Sequence, residues 1–346
     1  MSIKNPVISI IITNYNGGNL LLQCVESVYN SNYQNYEVVL VDNNSNDNSH
    51  LNAKKQFPEI ILISNNKNLG SVGRNSGIKI AKGEFIVLLD NDTKVNSDWL
   101  DEFLKNYKIN GYGMYQGKLL LMDEPNKINS AGCMINIFGF SFARGTGQID
   151  NGQYDDKIKI NFPATACAFI PKKIFEEIGL FDEEFFAYLD DTDFGWRAMK
   201  LGIKSYFVSS VIVFHKWSNT TKWSPLKYYL LERNRLICIN TLYSNETISR
   251  LRPFLNFIDF GVTRVYQKKG MLAEKKRANE YIKNHKNYLI NKYEEIQNKT
   301  IINDIKIIEK FSECVSVPEK SFEGLGIFNN FLCLTSKFAK LFVKLS

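Results

Sequence analysis

The sequence lacks three features that would assign it to other classes of protein. No run of about 18 apolar residues occurs, so no segment is predicted to span a membrane. The first residues, Met1 to Pro6, lack the pattern of a secretory signal peptide. No arginine-rich run occurs, and a net charge of +7 is modest for 346 residues, so nucleic acid is not expected as a partner. We therefore expect a cytoplasmic protein.

The six cysteines are widely scattered, and none belongs to a CxxC pair. This spacing argues against a zinc site or a disulfide framework, and it predicts free thiols in a reducing compartment. The content of 44% hydrophobic and 23% charged residues is ordinary for a globular protein, so extensive disorder is not expected. The length allows one large domain with an appendage, or two domains.

Short apolar runs alternate with helical patterns in the first part of the chain. Val7–Thr13 is continuously apolar and rich in β-branched residues, as in a strand that is buried on both faces of a parallel sheet. The same criteria predict strands at Tyr36–Val41, Ile60–Ser64 and Phe85–Leu89, and helices at Leu20–Tyr29 and about Ser71–Ala81. This alternation predicts an α/β sheet with right-handed crossovers.

The pattern weakens after residue 111 and becomes helical near the C-terminus. Residues 111–161 form short pieces interrupted by glycine, and the chain beyond about Tyr228 is helical and rich in lysine. The elements predicted between them are an apolar run at Ala164–Ile170, helices at Lys172–Ile178 and Asp190–Met199, and a strand at Ser205–Phe214. We therefore predict an α/β domain over residues 1–230 and a helical region over residues 231–346.

Four of the predicted strands are followed by polar residues. These are Asn14–Gly18, Asp42–Ser45, Asn65–Gly70 and Asp90–Asp92. Ligands of open α/β sheets gather at the carboxyl ends of the strands. The four polar ends therefore predict a ligand site at that edge.

Asp90-Asn91-Asp92 is the first candidate for chemistry. Two carboxylates two positions apart at the end of a strand lie on the same side, and such oxygen ligands suit Mg²⁺ or Mn²⁺. The alternative is a polar turn that closes the strand, where Asp and Asn are common. The position after three other polar strand ends favours the metal site.

Two further segments are candidates for binding a nucleotide. Asp42, at the tip of the second strand, could accept a hydrogen bond from a base or a ribose, or it could only form a turn with Asn43–Ser45. The segment Asn68–Asn75 enters a helix through two glycines, and Arg74 could add a charged fork for an anion. The alternative for this segment is an ordinary helix entry with a surface arginine.

Asp190, Asp191 and Asp193 open a helix, and His215 follows the last strand. Acids in the first turn stabilise a helix through its dipole, but three in four residues exceed what capping needs. One of them could serve as a general base for an acceptor hydroxyl. A histidine at a strand end is commonly structural, but near a metal it is a candidate third ligand.

Together these motifs resemble the inverting family 2 glycosyltransferases of GT-A fold, especially the rhamnosyltransferase-like bacterial and archaeal members. The resemblance covers roughly residues 5–240. The matching segments, in order, are Val7–Gly18, Val41–Ser45, Asn68–Gly77, Asp90–Asp92 and Glu177–Arg197. It implies a GT-A fold, a Mn²⁺ or Mg²⁺ ion, and a UDP- or dTDP-linked sugar as donor. It also implies an acceptor hydroxyl on a glycan or polyprenyl-linked molecule in surface polysaccharide biosynthesis.

The resemblance also implies roles for individual residues. The donor-binding set is Thr13, Asn14, Tyr15, Asp42, Asn68, Gly70, Arg74, Asp90 and Asn91. The metal ligands would be Asp92, Asp90 and His215. Asp191 matches the catalytic base, supported by Asp190, where the family more often has Glu. Asn91 stands where the family commonly has an acid or alanine, so the donor site carries less negative charge.

Two alternatives to a transferase are considered. A non-catalytic module of the same fold would bind a nucleotide-sugar or glycan without transferring it, although the intact metal, base and histidine positions argue against it. A dinucleotide-dependent dehydrogenase is disfavoured because Asn14–Gly18 stands where such enzymes carry GxGxxG.

The last eighteen residues, Asn329–Ser346, form an amphipathic pattern with lysines on a separate side. One interpretation is a peripheral contact with an anionic membrane, at the inner face of the cell membrane. The other is a helix whose apolar side docks on the protein itself. A helical region also makes a homodimer a reasonable hypothesis.

Overall fold

The computed structural model describes residues 8–216, 224–315 and 326–345. Val7 and Ser346, the outer residues of the first predicted strand and of the last predicted helix, lie outside this range. The described residues divide into two compact units. The sheet unit contains residues 8–133, 143–187 and 203–216, and the helical unit contains residues 134–142, 188–202, 224–315 and 326–345. The domain boundary near residue 230 stays a prediction.

The strands and helices follow the chain in alternation at first, and helices dominate later. The strands are β1 Ile8–Asn14, β2 Tyr36–Asp42, β3 Ile61–Ser64, β4 Phe85–Asp90, β5 Thr93–Val95, β6 Gly113–Leu121, β7 Ile128–Ser130, β8 Cys133–Ile135, β9 Ser141–Ala143, β10 Lys159–Ile160, β11 Cys167–Pro171 and β12 Lys204–His215. The helices are α1 Gly18–Tyr29, α2 Ser49–Gln56, α3 Arg74–Ile80, α4 Trp99–Asn110, α5 Lys172–Ile178, α6 Asp190–Lys200, α7 Pro225–Leu242, α8 Asn245–Lys268, α9 Leu272–Asn284, α10 Lys286–Lys299, α11 Asp304–Ile308 and α12 Gly326–Leu345.

Ten strands of the described residues form one mixed sheet in the sheet unit. Its order is β10-β12-β6-β11-β4-β1-β2-β3, with β5 added on β12 and β7 on β6. The strands predicted in the first part of the chain are parallel, since β1 pairs in parallel with both β2 and β4, and β2 with β3. β1 and β4 are almost wholly buried, which explains their mainly apolar sequence. The predicted α/β sheet and the helical region α7–α12 are therefore confirmed.

The register of the parallel strands brings their polar ends to one edge. Asn14 of β1 pairs with Asp42 of β2, and Thr13 pairs with Asp90 of β4. Asp42 in turn pairs with Ser64 of β3. The predicted ligand edge is therefore formed by residues that are far apart in the sequence.

The region predicted as loose pieces contains a long strand, β6. All its residues but the last are buried, and it pairs in parallel with β12. Its sequence was misleading because Gly113 and Gly117 interrupt the apolar run. A Cβ at Gly117 would lie 2.7 Å from the Val211 side chain, and a Cβ at Gly113 would lie 2.7 Å from the carbonyl oxygen of Lys204. Glycine is therefore needed for close approach of the two strands, as it is at other sheet positions of this kind.

Buried ion pairs hold the helical unit together. Glu232 of α7 accepts from Arg235 on the same helix and from Lys275 of α9, and all three side chains are buried. Lys200 of α6 donates to Asp304 of α11 at 3.0 Å. Trp196 of α6 is fully buried and meets the rings of Tyr243 and Phe311 edge-on. Removing one partner of such a buried pair typically costs about 3–5 kcal/mol.

The prediction that all the cysteines are free thiols is wrong. Cys314 and Cys333 form a disulfide, while the remaining four are buried free thiols. The spacing of cysteines does not report their distance in space, and here α12 brings Cys333 back to the segment that follows α11. Burial raises the pKa of the free Cys24 thiol to about 12, so it stays protonated.

The helix predicted at the C-terminus is present as α12, but most of its large apolar side chains are exposed. Leu332, Ser336, Ala339 and Val343 are buried, whereas Leu334 and Phe338 are exposed. None of the helices of the described residues is long and apolar enough to cross a membrane.

Candidate donor and metal site

Asp42 lies at the centre of a hydrogen-bond network at the edge of the parallel strands. Its Oδ1 accepts from Nδ2 of Asn14 at 2.8 Å and from Oγ of Ser45 at 2.6 Å. Its Oδ2 accepts from the backbone N–H of Ser45, and Nδ1 of His50 lies 3.4 Å from Oδ1. The turn predicted as the alternative for Asp42 therefore exists. It does not test the predicted contact with base or ribose, which stays a prediction.

Asn14 connects this network to the loop after β4. Its Oδ1 accepts from Nδ2 of Asn91 at 2.7 Å, while its own Nδ2 donates to Asp42 and Ser49. Gly17 lies against this pair of amides. A Cβ at Gly17 would lie 2.3 Å from Oδ1 of Asn14 and 2.4 Å from Nδ2 of Asn91. Only glycine therefore leaves the contact between Asn14 and Asn91 intact.

Asp90, Asp92 and His215 form a cluster whose ligand atoms all lie within 4.8 Å of one another. Asp90 ends β4, and His215 ends β12, which pairs with β5 immediately after Asp92. Nε2 of His215 lies 3.2 Å from Oδ1 of Asp92. The sequence predicted these three residues as metal ligands, and the fold brings them together. All three are partly exposed, so solvent reaches the cluster.

Asn129 of β7 fixes the orientation of His215. Its Oδ1 lies 2.9 Å from Nδ1 of His215. Because an amide oxygen only accepts, Nδ1 carries the proton and Nε2 faces Asp92. Burial lowers the pKa of His215, but the hydrogen bond to Asp92 and the charges of Asp92 and Asp90 outweigh burial and raise it above its usual value. No property of the sequence near Asn129 pointed to this role.

The segment predicted to bind phosphate has a distinctive backbone. Residues Gly70–Gly73 form a 3-10 turn, and α3 begins only at Arg74. Gly70 has a φ of +65°, and a Cβ there would lie 2.1 Å from the carbonyl oxygen of Phe186. Oδ1 of Asn68 accepts a hydrogen bond from the N–H of Gly70, and Nδ2 of Asn43 donates one to the carbonyl oxygen of Gly70. Glycine is required at this position on both counts.

Arg74 is only 4% exposed, so the alternative of a surface arginine is wrong. Its Nε donates to the carbonyl oxygen of Ser71, and its guanidinium lies 5.0 Å from the centre of the Phe181 ring. Tyr15 is 48% exposed and Thr13 is partly buried. The donor-binding roles of these three residues stay predictions.

The acids of α6 belong to the helical unit and differ sharply in their surroundings. Asp193 is fully buried and accepts from Nε of Arg197 at 2.9 Å and Nζ of Lys292 at 2.7 Å. Asp190 is buried, whereas Asp191 is partly exposed and accepts from the N–H of Thr192. Asp191 is therefore the acid of this group that solvent reaches.

The backbone just before α6 is in an unusual conformation. Tyr188 and Leu189 have φ values of +64° and +59°, a region that bulky side chains rarely adopt. The carbonyl oxygen of Tyr188 accepts from Nδ2 of Asn234 in α7, which helps to hold this turn. Such strained residues cluster at functional sites, and they set the direction in which α6 starts.

Comparisons with known proteins show which protein family this part of the chain resembles. Residues 9–179 match the model of the family described as "Glycosyl transferase family 2". This part of the chain is therefore similar to the family 2 glycosyl transferases. The matched range contains the polar strand ends and the Asp90–Asp92 motif, while His215 and α6 follow it.

Two curated relatives are similar to different lengths of the chain. The poly(ribitol-phosphate) beta-glucosyltransferase of Bacillus spizizenii is 37% identical over 119 residues, which are 32% of this chain and 19% of that protein. The low-salt glycan biosynthesis hexosyltransferase Agl10 of Haloferax volcanii is 26% identical over 258 residues, 71% of this chain and 79% of that one. The chain spans less than half the length of the first curated relatives that it matches.

A solved structure of GalNAc-T7 with UDP, GalNAc and Mn²⁺ has a similar fold. The TM-score is 0.57 at 16% identity, and the match covers 72% of this chain and 50% of that one. The predicted mixed α/β GT-A fold is therefore confirmed.

Proposed function

We propose that this protein is an inverting glycosyltransferase. It moves a sugar from a nucleoside-diphosphate donor to a hydroxyl of a glycan or lipid-linked acceptor in surface polysaccharide biosynthesis. The observation that carries the proposal is the cluster of Asp90, Asp92 and His215 in a chain that is similar to the family 2 glycosyl transferases. The names of the two relatives, one acting on poly(ribitol-phosphate) and one on a cell glycan, support the class of acceptor.

The cluster fits a divalent cation. Two carboxylates and one imidazole nitrogen suit Mn²⁺ or Mg²⁺ and leave coordination positions for phosphate oxygens. When bound, the ion would neutralise the charge that develops on the diphosphate leaving group. Among the described residues, no lysine or arginine lies within 4 Å of Asp92, and His215 is its ion-pair partner.

The donor would contact the edge where β1, β2 and β4 end. Asn14 and Asp42 are held in place by each other and by Ser45, so their side chains are preorganised. Thr13, Tyr15, Asn68, Gly70, Arg74, Asp90 and Asn91 complete the proposed donor-binding set. A rigid network costs less entropy on binding than side chains that must first be ordered.

Asp191 is proposed as the general base, with Asp190 in support. It would take the proton of the acceptor hydroxyl, whose oxygen then attacks the anomeric carbon as the bond to the diphosphate breaks, with inversion. Asp191 is preferred over Asp193 because two cations neutralise Asp193 in the interior. A base must be reached by its substrate, and Asp191 is partly exposed.

The finer features of the function are also proposals. UDP and dTDP are the proposed nucleotides, and a rhamnosyl or hexosyl residue is the proposed sugar. A cytoplasmic location at the inner face of the membrane would place the enzyme near lipid-linked acceptors. A homodimer is proposed on the presence of the helical region alone.

Calorimetric titration of nucleoside diphosphates and their sugars, with and without Mn²⁺, tests the donor site. We expect metal-dependent binding of one series among UDP, dTDP and GDP compounds. Absence of binding to every compound by folded protein with metal present would contradict the transferase. Metal-dependent binding without turnover on any acceptor would favour the non-catalytic binding module.

The substitution Asp191→Asn tests the base. It should reduce transfer by about 10²–10⁴-fold, the usual contribution of a general base, and leave donor binding unchanged. Asp182→Asn, in the acidic segment before α6, is the matched control and should retain activity. Near-normal transfer by folded Asp191→Asn protein would remove Asp191 from this role.

A further inference from the structure

The helical unit exposes a row of large apolar side chains from two adjacent helices. We call this the α8–α12 apolar face, and it consists of Phe257, Phe260, Leu334, Phe338, Leu341 and Leu345. Phe260 is 61% exposed, Phe338 65% and Leu345 79%. Aromatic rings of the two helices contact each other. The ring centres are 4.6 Å apart for Phe257 and Phe331 and 5.7 Å apart for Phe254 and Phe342. A contiguous exposed surface of this kind marks an interaction site rather than ordinary surface.

The exposure of these side chains follows from how α12 is held. Oγ of Ser336 accepts from Nδ2 of Asn136, and the buried side of the helix is narrow, formed by small and medium-sized residues. The disulfide from Cys333 to Cys314 and the hydrogen bond from Lys340 to the carbonyl oxygen of Phe311 hold the same side. The helix is therefore docked by Leu332, Ser336, Ala339 and Val343, and the side chains of Leu334, Phe338, Leu341 and Leu345 remain exposed.

The charges around the face are positive on balance, because the acids beside it are paired with cations. Beside α12, Glu309 pairs with Lys344 and Glu313 with Lys337. The sequence of α12, Gly326–Leu345, contains three lysines and no acid. On α8 the exposed residues Arg252, Arg264 and Lys268 accompany the phenylalanines, and the Arg264 guanidinium lies 5.1 Å from the Phe260 ring. The two acids of α8 are each engaged by a cation, Glu246 by Arg250 and Asp259 by Lys275. The face is therefore apolar with a cationic surround.

This composition selects among the partners that would cover an apolar surface. Two copies of this chain meeting through the face in a two-fold interface would bring the same cations together. Insertion across a bilayer does not apply, because none of the described helices meets the requirements of a span. Aromatic and leucine side chains flanked by Lys and Arg are the composition of helices that lie in the interface of an anionic membrane.

We propose that the α8–α12 apolar face docks on the surface of an anionic lipid bilayer. Phenylalanine and leucine side chains enter the boundary between headgroups and acyl chains, while Arg252, Arg264, Lys268 and Lys337 contact lipid phosphates. The proposal stands on the exposed side chains and their charges, and it does not depend on the transferase activity. In this arrangement, α8 and α12 both contact the membrane and lie parallel to the membrane plane.

The test is co-sedimentation of the full chain with vesicles. Vesicles of phosphatidylcholine with about 30% of the anionic lipid phosphatidylglycerol are compared with vesicles of pure phosphatidylcholine. We expect the protein to bind the anionic vesicles. In about 0.5 M salt the screening length is roughly fourfold shorter than at low ionic strength, so binding should weaken at least about tenfold. Equal binding to both kinds of vesicle would contradict the role of the cations, and absence of binding would overturn the proposal.

Variants separate this face from the general surface. The double substitution Phe260→Ser and Phe338→Ser should reduce vesicle binding at least about tenfold, since each removes a large apolar side chain from the contact. Ile109→Ser with Ile301→Ser, two equally exposed apolar residues elsewhere, is the matched control and should bind like wild type. Arg252→Gln with Lys337→Gln should reduce binding to anionic vesicles only.

Two further readouts keep the outcomes distinct. Circular dichroism melting must show that each variant is folded, and nucleotide titration reports the donor site independently of lipid. A wild-type dimer that becomes monomeric on Phe260→Ser and Phe338→Ser, with no vesicle binding, would assign the face to a second copy and overturn the proposal. Failure to bind any nucleotide with normal vesicle binding would contradict the transferase and leave the membrane surface standing.

Discussion

Three buried acids of the helical unit and two acids at the strand ends of the sheet unit have different kinds of partner. Asp193, Glu232 and Asp304 of the helical unit are buried, and each meets a lysine or arginine of the same unit. In the sheet unit, Asp42 meets amides, hydroxyls and a histidine, and Asp92 meets His215. A buried acid with a basic partner contributes to folding. Asp92 is partly exposed and pairs with His215, not with a lysine or arginine of the described residues, so it is the better candidate to bind an external cation.

The largest expected effect is on stability in the helical unit. Asp193→Asn leaves Arg197 and Lys292 facing a neutral group in the interior, so the free energy of unfolding should fall by about 3–5 kcal/mol. Chemical denaturation measures this change. Asp101→Asn, an exposed acid of α4, is the control and should change stability by no more than about 0.5 kcal/mol. A small effect at Asp193 would remove the contrast between the two units.

Asp92→Asn should have the opposite profile, with a loss of metal binding and little loss of stability. One of two carboxylate ligands is removed, so Mn²⁺ affinity should fall by at least about 100-fold, which is about 2.7 kcal/mol. Titration calorimetry with Mn²⁺ measures it. Asp123→Asn, an exposed acid paired with Lys216, is the control and should bind Mn²⁺ normally. Unchanged affinity in Asp92→Asn would exclude this cluster as the metal site.

A smaller effect is expected at Asn129, which acts through His215. Asn129→Ala removes the acceptor for Nδ1–H, so Mn²⁺ affinity should fall about 10–100-fold without loss of the ligand itself. Asn129→Asp retains an oxygen acceptor and should restore most of the affinity. If Asn129→Ala binds Mn²⁺ as tightly as wild type, the residue has a structural role only.

The smallest effect concerns the pH dependence of stability. Burial alone would raise the pKa of Glu232, but the charges and hydrogen bonds of Arg235 and Lys275 outweigh burial and hold the pKa below its usual value. Because the folded pKa is the lower one, its stabilising contribution is complete above the unfolded pKa of about 4.3 and declines as pH falls towards the folded value. The difference in melting temperature between wild type and Glu232→Gln should therefore shrink on acidification below about pH 4.3. A constant difference across this range would show that Glu232 does not titrate with unfolding.

Elements whose residues are all in a similar environment, such as strands buried along their whole length, are predicted well from the sequence. β1 and β4 are buried on both faces, so most of their residues are apolar and the strands are evident. β6 is equally buried, but close approach to β12 requires glycine at two positions, and the apolar pattern is lost. Strand prediction from apolar runs therefore fails where backbone contact replaces side-chain packing.

The candidate site was partly predictable for a related reason. Asp90, Asp92 and His215 are chemically distinctive and lie at strand ends, so their types and positions suffice. The contact of Asn129 is with a residue 86 positions away, and the different surroundings of Asp191 and Asp193 depend on Lys292 in another helix. The disulfide depends likewise on where α12 packs. Such features are properties of tertiary contacts, and a single sequence does not report them.

Gly17 has a consequence for how substitutions in this protein should be interpreted. It has no side chain, yet a single methyl group there would separate the amides of Asn14 and Asn91 and disconnect the loop after β1 from the loop after β4. In a scan of all substitutions, Gly17 should tolerate change as poorly as a ligand residue does. Intolerance at this position would reflect the narrow space between two loops. It would not be evidence that Gly17 itself takes part in binding or catalysis.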